Sequence, residues 1–200
     1  MSEKKYSAGM VNHSFWFLEF KTFVKLLNEG KTKEDIKKMN EEENVFTAST
    51  ADRGLHIYRN VLRRINELDK DLLSLFQELD VSNQKLMNLI SIMAVDQLFF
   101  EFVYEVYREK IMIGSNELSD SDYRIFFRNK QSQNEKIAKW TEQTQNRLSK
   151  TYKLLLFEAG VTDKEPNTRK ILVPVLDPSL EQLLLDTGMK IYIQALTGAE

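Results

Sequence analysis

Residues 134–160 read NEKIAKWTEQTQNRLSKTYKLLLFEAG, and the rest of the chain is best understood from this stretch. A helical residue advances roughly 100° around the axis, so side chains recurring every three or four positions share a face. On that wheel Ile137, Trp140, Thr144, Leu148, Tyr152, Leu155 and Ala159 form one stripe. Lys136, Lys139, Gln143, Asn146, Arg147, Lys150 and Lys153 fall in a sector roughly opposite, with Glu135 and Glu142 beside it. The spacing predicts one long amphipathic helix. Gly160 supplies the left-handed residue that ends helices, and Val161 is placed for the apolar contact that accompanies such a cap. Further on, Glu165-Pro166-Asn167 reads as the tip of a small hairpin whose return strand is 170–173. A helix with a basic, amide-bearing outer face followed by a hairpin predicts a winged helix-turn-helix, with Arg169 and Lys170 as its basic wing.

Working outward, the 200 residues with 42% hydrophobic content suffice to bury a core. A net charge of −2 argues against indiscriminate coating of nucleic acid. It leaves room for local basic patches, because binding depends on where charges sit. With no cysteine there are no disulfides and no thiolate metal ligands, which fits a reducing cytoplasm. MSEKKYSAGM carries no apolar signal region. The most apolar run, 86–100, is interrupted by Asn88, Asp96 and Gln97, whereas a spanning helix needs about 20 apolar residues. That run reads as core, and no membrane association is expected.

Toward the N-terminus, Ser14 suits the N-cap of a helix through Asn28 that stops at Gly30. TKED (32–35) starts a short second helix, and the following NEEEN reads as a solvated turn. A third helix, 51–69, puts Leu55, Tyr58, Val61, Leu62, Ile65 and Leu68 on one face and Arg53, His56, Arg59, Asn60, Arg63 and Arg64 on the other. A fourth covers 70–79, and a dense apolar pair (83–94 and 95–113) must be the core. GSNELSDSDY reads as a loop and cap before a helix exposing Arg124, Arg128 and Lys130. Asp177-Pro178 marks a further helix start, with proline at the first helical position.

Two basic faces therefore stand out, and each has an alternative. Lysine and arginine neutralise phosphates, while Gln143, Asn146 and Arg147 can reach base edges; the alternative is an ordinary solvated helix face. Arg53, Arg59, Arg63 and Arg64 suit bidentate phosphate contacts, or else pairing with the acidic run 41–43. His13 and His56 lack metal-ligand spacing, Asp120 and Asp122 resemble a helix cap, and there is no phosphate loop, G-x-S-x-G or Walker lysine. Catalysis, a cofactor and a small-molecule substrate are not expected.

Three segments together carry a family resemblance. They are YSAGMVNHSFWFLEF (6–20) with LLNEGKT (26–32), TADRGLHIYRNVLRRI (50–65), and KWTEQTQNRLSKTYKLLLFEAGV (139–161) followed by KILVPVLDPSLEQLL (170–184). Their order and spacing resemble BrxA, the small A component of BREX bacteriophage-defence systems, over nearly the whole chain. The resemblance implies an all-helical protein of NusB-like fold that binds double-stranded DNA and works alongside other BREX components, a methyltransferase among them. It transfers no catalytic residues. The expectation is an all-α, multi-helix NusB-like bundle with a small C-terminal winged-helix-like β-hairpin. Residues 1–115 would form an N-terminal helical bundle, and 116–200 a winged helix-like subdomain packed on the same core. Such a protein would be a cytoplasmic, non-catalytic DNA-binding accessory of phage defence. Its rivals are an RNA-binding NusB-like module and a protein–protein adaptor within a defence complex.

Overall fold

The computed structural model of the protein describes residues 6–199. Within them the chain opens with one 3-10 turn, Gly9–Asn12, and then builds twelve α-helical segments and two short strands. The first five are α1 (Phe17–Asn28), α2 (Lys33–Glu43), α3 (Ala51–Ile65), α4 (Lys70–Leu75) and α5 (Val81–Val95). Side-chain caps set most of these starts. Thr32 and Asp35 form a reciprocal capping box, and Thr50, Asp69 and Asp80 each accept a backbone N–H of the following turn. The acidic run 41–43 belongs to α2 rather than to a turn, and Asn44 closes that helix in the left-handed region.

Asp96 separates α5 from the next helix. Its carboxylate accepts the Phe99 N–H at 2.9 Å and starts α6 (Gln97–Phe102), which turns by 114° from α5. A π turn, Val103–Tyr107, joins α6 to α7 (Arg108–Met112) without a break in the chain's helical course. No single helix among the described residues is long and apolar enough to cross a membrane. The bend folds the most apolar part of the sequence back on itself and makes it core.

The expected long helix over 134–160 is two helices. After α8 (Asp120–Gln133), Asn134 caps the short α9 (Glu135–Ala138). Thr141, with extended ψ of 156°, then caps α10 (Glu142–Glu158) by accepting the Thr144 N–H at 3.2 Å. The apolar stripe survives the break: Ile137, Leu148, Tyr152, Leu155 and Ala159 are all buried, and Gly160 ends the helix at φ 79° as anticipated.

The β component is small. Strand β1 (Glu117–Ser119) pairs antiparallel with β2 (Thr168–Lys170), Leu118 opposite Arg169. Across the turn at 163–167 the expected hairpin is narrow: Thr162 bridges Ile171, and the Leu172 N–H reaches the Val161 carbonyl at 2.9 Å. The return strand therefore starts earlier than anticipated, and its ladder partner comes from the loop before α8. Helices α11 (Pro178–Asp186), capped by Asp177, and α12 (Lys190–Thr197) complete the fold. One continuous cluster of buried side chains runs from Met10 to Leu196 and draws on both halves. Fully buried Tyr152 of α10 lies at its centre, with ring centroids 4.9 Å from Phe99, 5.5 Å from Phe102 and 5.8 Å from Phe127. The architecture is an all-α bundle carrying a small antiparallel sheet.

Candidate nucleic-acid interface

Burial of Leu148, Tyr152 and Leu155 fixes the rotation of α10, and the wheel then decides which side chains face water. Gln143, Asn146, Arg147 and Lys150 are exposed on it, with Lys139 exposed in the connection just before. Lys136 of α9 is exposed too, and its ammonium donates to the Tyr6 carbonyl at 2.6 Å. Arg147 donates to the Asn12 side-chain oxygen at 3.1 Å. Both interactions are with neutral oxygens of the N-terminal segment.

Two residues expected on this face are engaged elsewhere. Lys153 is half-buried, ion-paired to Asp120 and stacked 5.1 Å over the Tyr123 ring. The Arg169 guanidinium donates to the Lys153 carbonyl at 2.6 Å, which leaves Lys170 as the exposed one of the two expected wing cations. Lys130, expected at the surface of α8, is also buried, paired with Glu101 at 2.5 Å and Glu105 at 2.7 Å.

The second basic face lies on α3. Arg53, Arg59 and Arg63 are exposed, and among the described residues none forms an ion pair with the acidic run of α2. Arg53 is placed with its guanidinium 5.4 Å over the Trp16 ring. Arg64 does not belong to this face. It is 2% exposed, donates to the carbonyls of Phe15 at 2.7 Å and Ser14 at 2.8 Å, and sets its guanidinium 5.2 Å from the centroid of the same indole. Burial lowers its pKa to about 9, which still leaves it charged at neutral pH. Asn88, fully buried on α5, donates to the same Phe15 carbonyl at 2.9 Å. Trp16 itself takes a left-handed backbone (φ 47°, ψ 47°), costly for a large side chain and tolerated where its surroundings over-determine it. Helix α1 accordingly starts after Trp16, and Ser14 gives its carbonyl to Arg64 instead of capping.

This short segment, 12–16, is what sequence reading missed, and it joins the two faces. Asn12 receives Arg147 of α10; the next residue, His13, packs its ring 6.4 Å from His56 of α3. His13 is pushed down to about 4 by burial and by the neighbouring Arg64, Arg63 and His56, so it is neutral at physiological pH. Through Asn12 and Trp16 the N-terminal segment thus touches one exposed cation of each helix, Arg147 of α10 and Arg53 of α3. The signal was present in the sequence: a polar pair, Asn12-His13, leads into the aromatic run Phe15-Trp16-Phe17, ahead of the arginine-rich helix that grips it. Among the described residues no cluster of histidine and acidic side chains is arranged to hold a metal ion.

The BrxA family model matches residues 4–188. The sequence is 36% identical over 198 residues to the BREX protein BrxA of Bacillus cereus (strain H3081.97), covering 99% of each chain. The crystal structure of an uncharacterized protein from Magnetospirillum magneticum shares the fold with a TM-score of 0.80, covering 97% of this chain and 99% of that one at 16% identity.

Proposed function

Because this chain belongs to the BrxA family, we propose that it serves as a component of a BREX phage-defence system, acts in the cytoplasm, and binds double-stranded DNA without catalysing a reaction. The observation that carries the DNA-binding reading is the junction at 12–16, where one segment touches an exposed cation of α10 and one of α3 on a protein of net charge −2. Phosphates would be met by Lys136, Lys139, Arg147 and Lys150 from one side and by Arg53, Arg59 and Arg63 from the other. Gln143 and Asn146, exposed between those cations, have side chains able to reach base edges. In this reading α10 and the turn at 163–167 act as a winged helix-type unit whose wing contributes Lys170. Other BREX proteins are the expected protein partners.

A duplex titration at several salt concentrations tests it. Contact with about five phosphates gives a slope of log K against log salt of roughly −4 to −5. A slope near zero, or no binding at low salt, would leave the faces as surfaces for acidic partner proteins. Equal or tighter binding of a matched RNA duplex would move the reading to RNA, whose A-form major groove is too narrow for a helix.

A further inference from the structure

We infer that the N-terminal segment is a built-in competitor of the DNA phosphates: the Tyr6 carbonyl and the Asn12 side-chain oxygen occupy two cations that a phosphate would take, Lys136 and Arg147. The inference rests on the DNA-binding reading above. Both cations are exposed, and among the described residues neither has a carboxylate partner. Each is instead satisfied by a neutral oxygen from one strap of chain, at 2.6 Å and 3.1 Å.

The strap is held along its length, so these oxygens are presented rather than incidental. The Tyr6 hydroxyl donates to the Glu101 carboxylate at 2.8 Å; Met10 is 2% exposed in the core; and Arg64 grips the carbonyls of Ser14 and Phe15 at the far end. A strap anchored in this way does not leave as a unit. Only its oxygens need be exchanged. The cationic donors already strengthen both strap bonds, and a phosphate oxygen adds the attraction of opposite charges, so phosphate wins the exchange, yet each strap bond broken subtracts from the affinity gained. The strap then weakens loose contacts, while a duplex that engages both cations together replaces its two oxygens and leaves the strap in place.

The experiment uses the full chain and a fluorescent duplex, with thermal unfolding as the check on folding. Asn12 is exposed, so Asn12→Ala and Asn12→Asp should both fold normally. Asn12→Ala frees Arg147 and should tighten duplex binding roughly two- to fivefold. Asn12→Asp gives Arg147 a charged partner and should weaken binding roughly threefold or more. In an Arg147→Ala background, Asn12→Ala should change nothing. Wild-type binding with Asn12→Ala unchanged or weaker, or a gain that persists without Arg147, overturns the inference while leaving DNA binding intact. No duplex binding by the wild type at low salt overturns the DNA reading, and this inference with it.

Discussion

Arg64 carries its charge into the core with main-chain carbonyls, the Asn88 side chain and the Trp16 ring around it, and no carboxylate within ion-pairing distance among the described residues. Removing it strands the Ser14 carbonyl, leaves the Phe15 carbonyl to Asn88 alone and unsupports a left-handed tryptophan. Arg64→Ala should therefore cost about 3 kcal/mol or more in urea unfolding, whereas Arg59→Ala and Arg63→Ala should stay within about 0.5 kcal/mol. The burial was legible: Arg64 follows Ile57 by seven residues and Val61 by three, which puts it on their side of α3. Grouping it with the other arginines weighed residue type above position. His13 offers a second test. Its folded pKa of about 4 lies below the ordinary value near 6.5, so the unfolded chain takes up a proton that the folded one refuses. That contribution is whole above about pH 6.5 and is lost as pH falls toward 4. Asp96, raised to about 6 by burial, works in the opposite direction over part of the same range. The measurement is thus a difference: between pH 7 and pH 4, wild type should lose stability relative to His13→Gln. Parallel pH profiles would refute this.

The interruption between α9 and α10 shows what periodicity can and cannot supply. Apolar spacing continues through Trp140, so the wheel sees one helix, although Thr141 followed by Glu142 is a helix start in its own right. The small hairpin was legible from its turn, but the β1–β2 pairing was beyond reach for a different reason. Three-residue strands leave no alternation to detect, and β1 meets β2 from about 50 residues away, so pairing follows from tertiary packing rather than local pattern. For binding, α10 is expected to contribute more than α3. Lys139→Ala/Arg147→Ala/Lys150→Ala touches only exposed side chains, so stability should hold, while the salt slope becomes shallower by about one unit for each phosphate no longer neutralised. The matched control is Arg53→Ala/Arg59→Ala/Arg63→Ala, which spares the structural Arg64. Loss of binding in the control alone would place recognition on α3.

Across the whole molecule, an all-α bundle was predictable because long apolar faces with clear caps dominate the chain, and the family relationship accounts for nearly its full length. How surfaces on separate helices come together was not predictable, since only the folded chain brings Asn12 to α10 and His13 to α3. The shared core has a bearing on how the protein is made. The bent apolar pair α5–α6 and the π turn after it are covered by α10 and α12, with Tyr152 against Phe99 and Tyr192 against Phe100 at 5.4 Å. On a ribosome, those covering helices emerge well after the surface they cover. The most aggregation-prone part of the nascent chain must wait, naked or chaperoned, until α12 has cleared the exit tunnel.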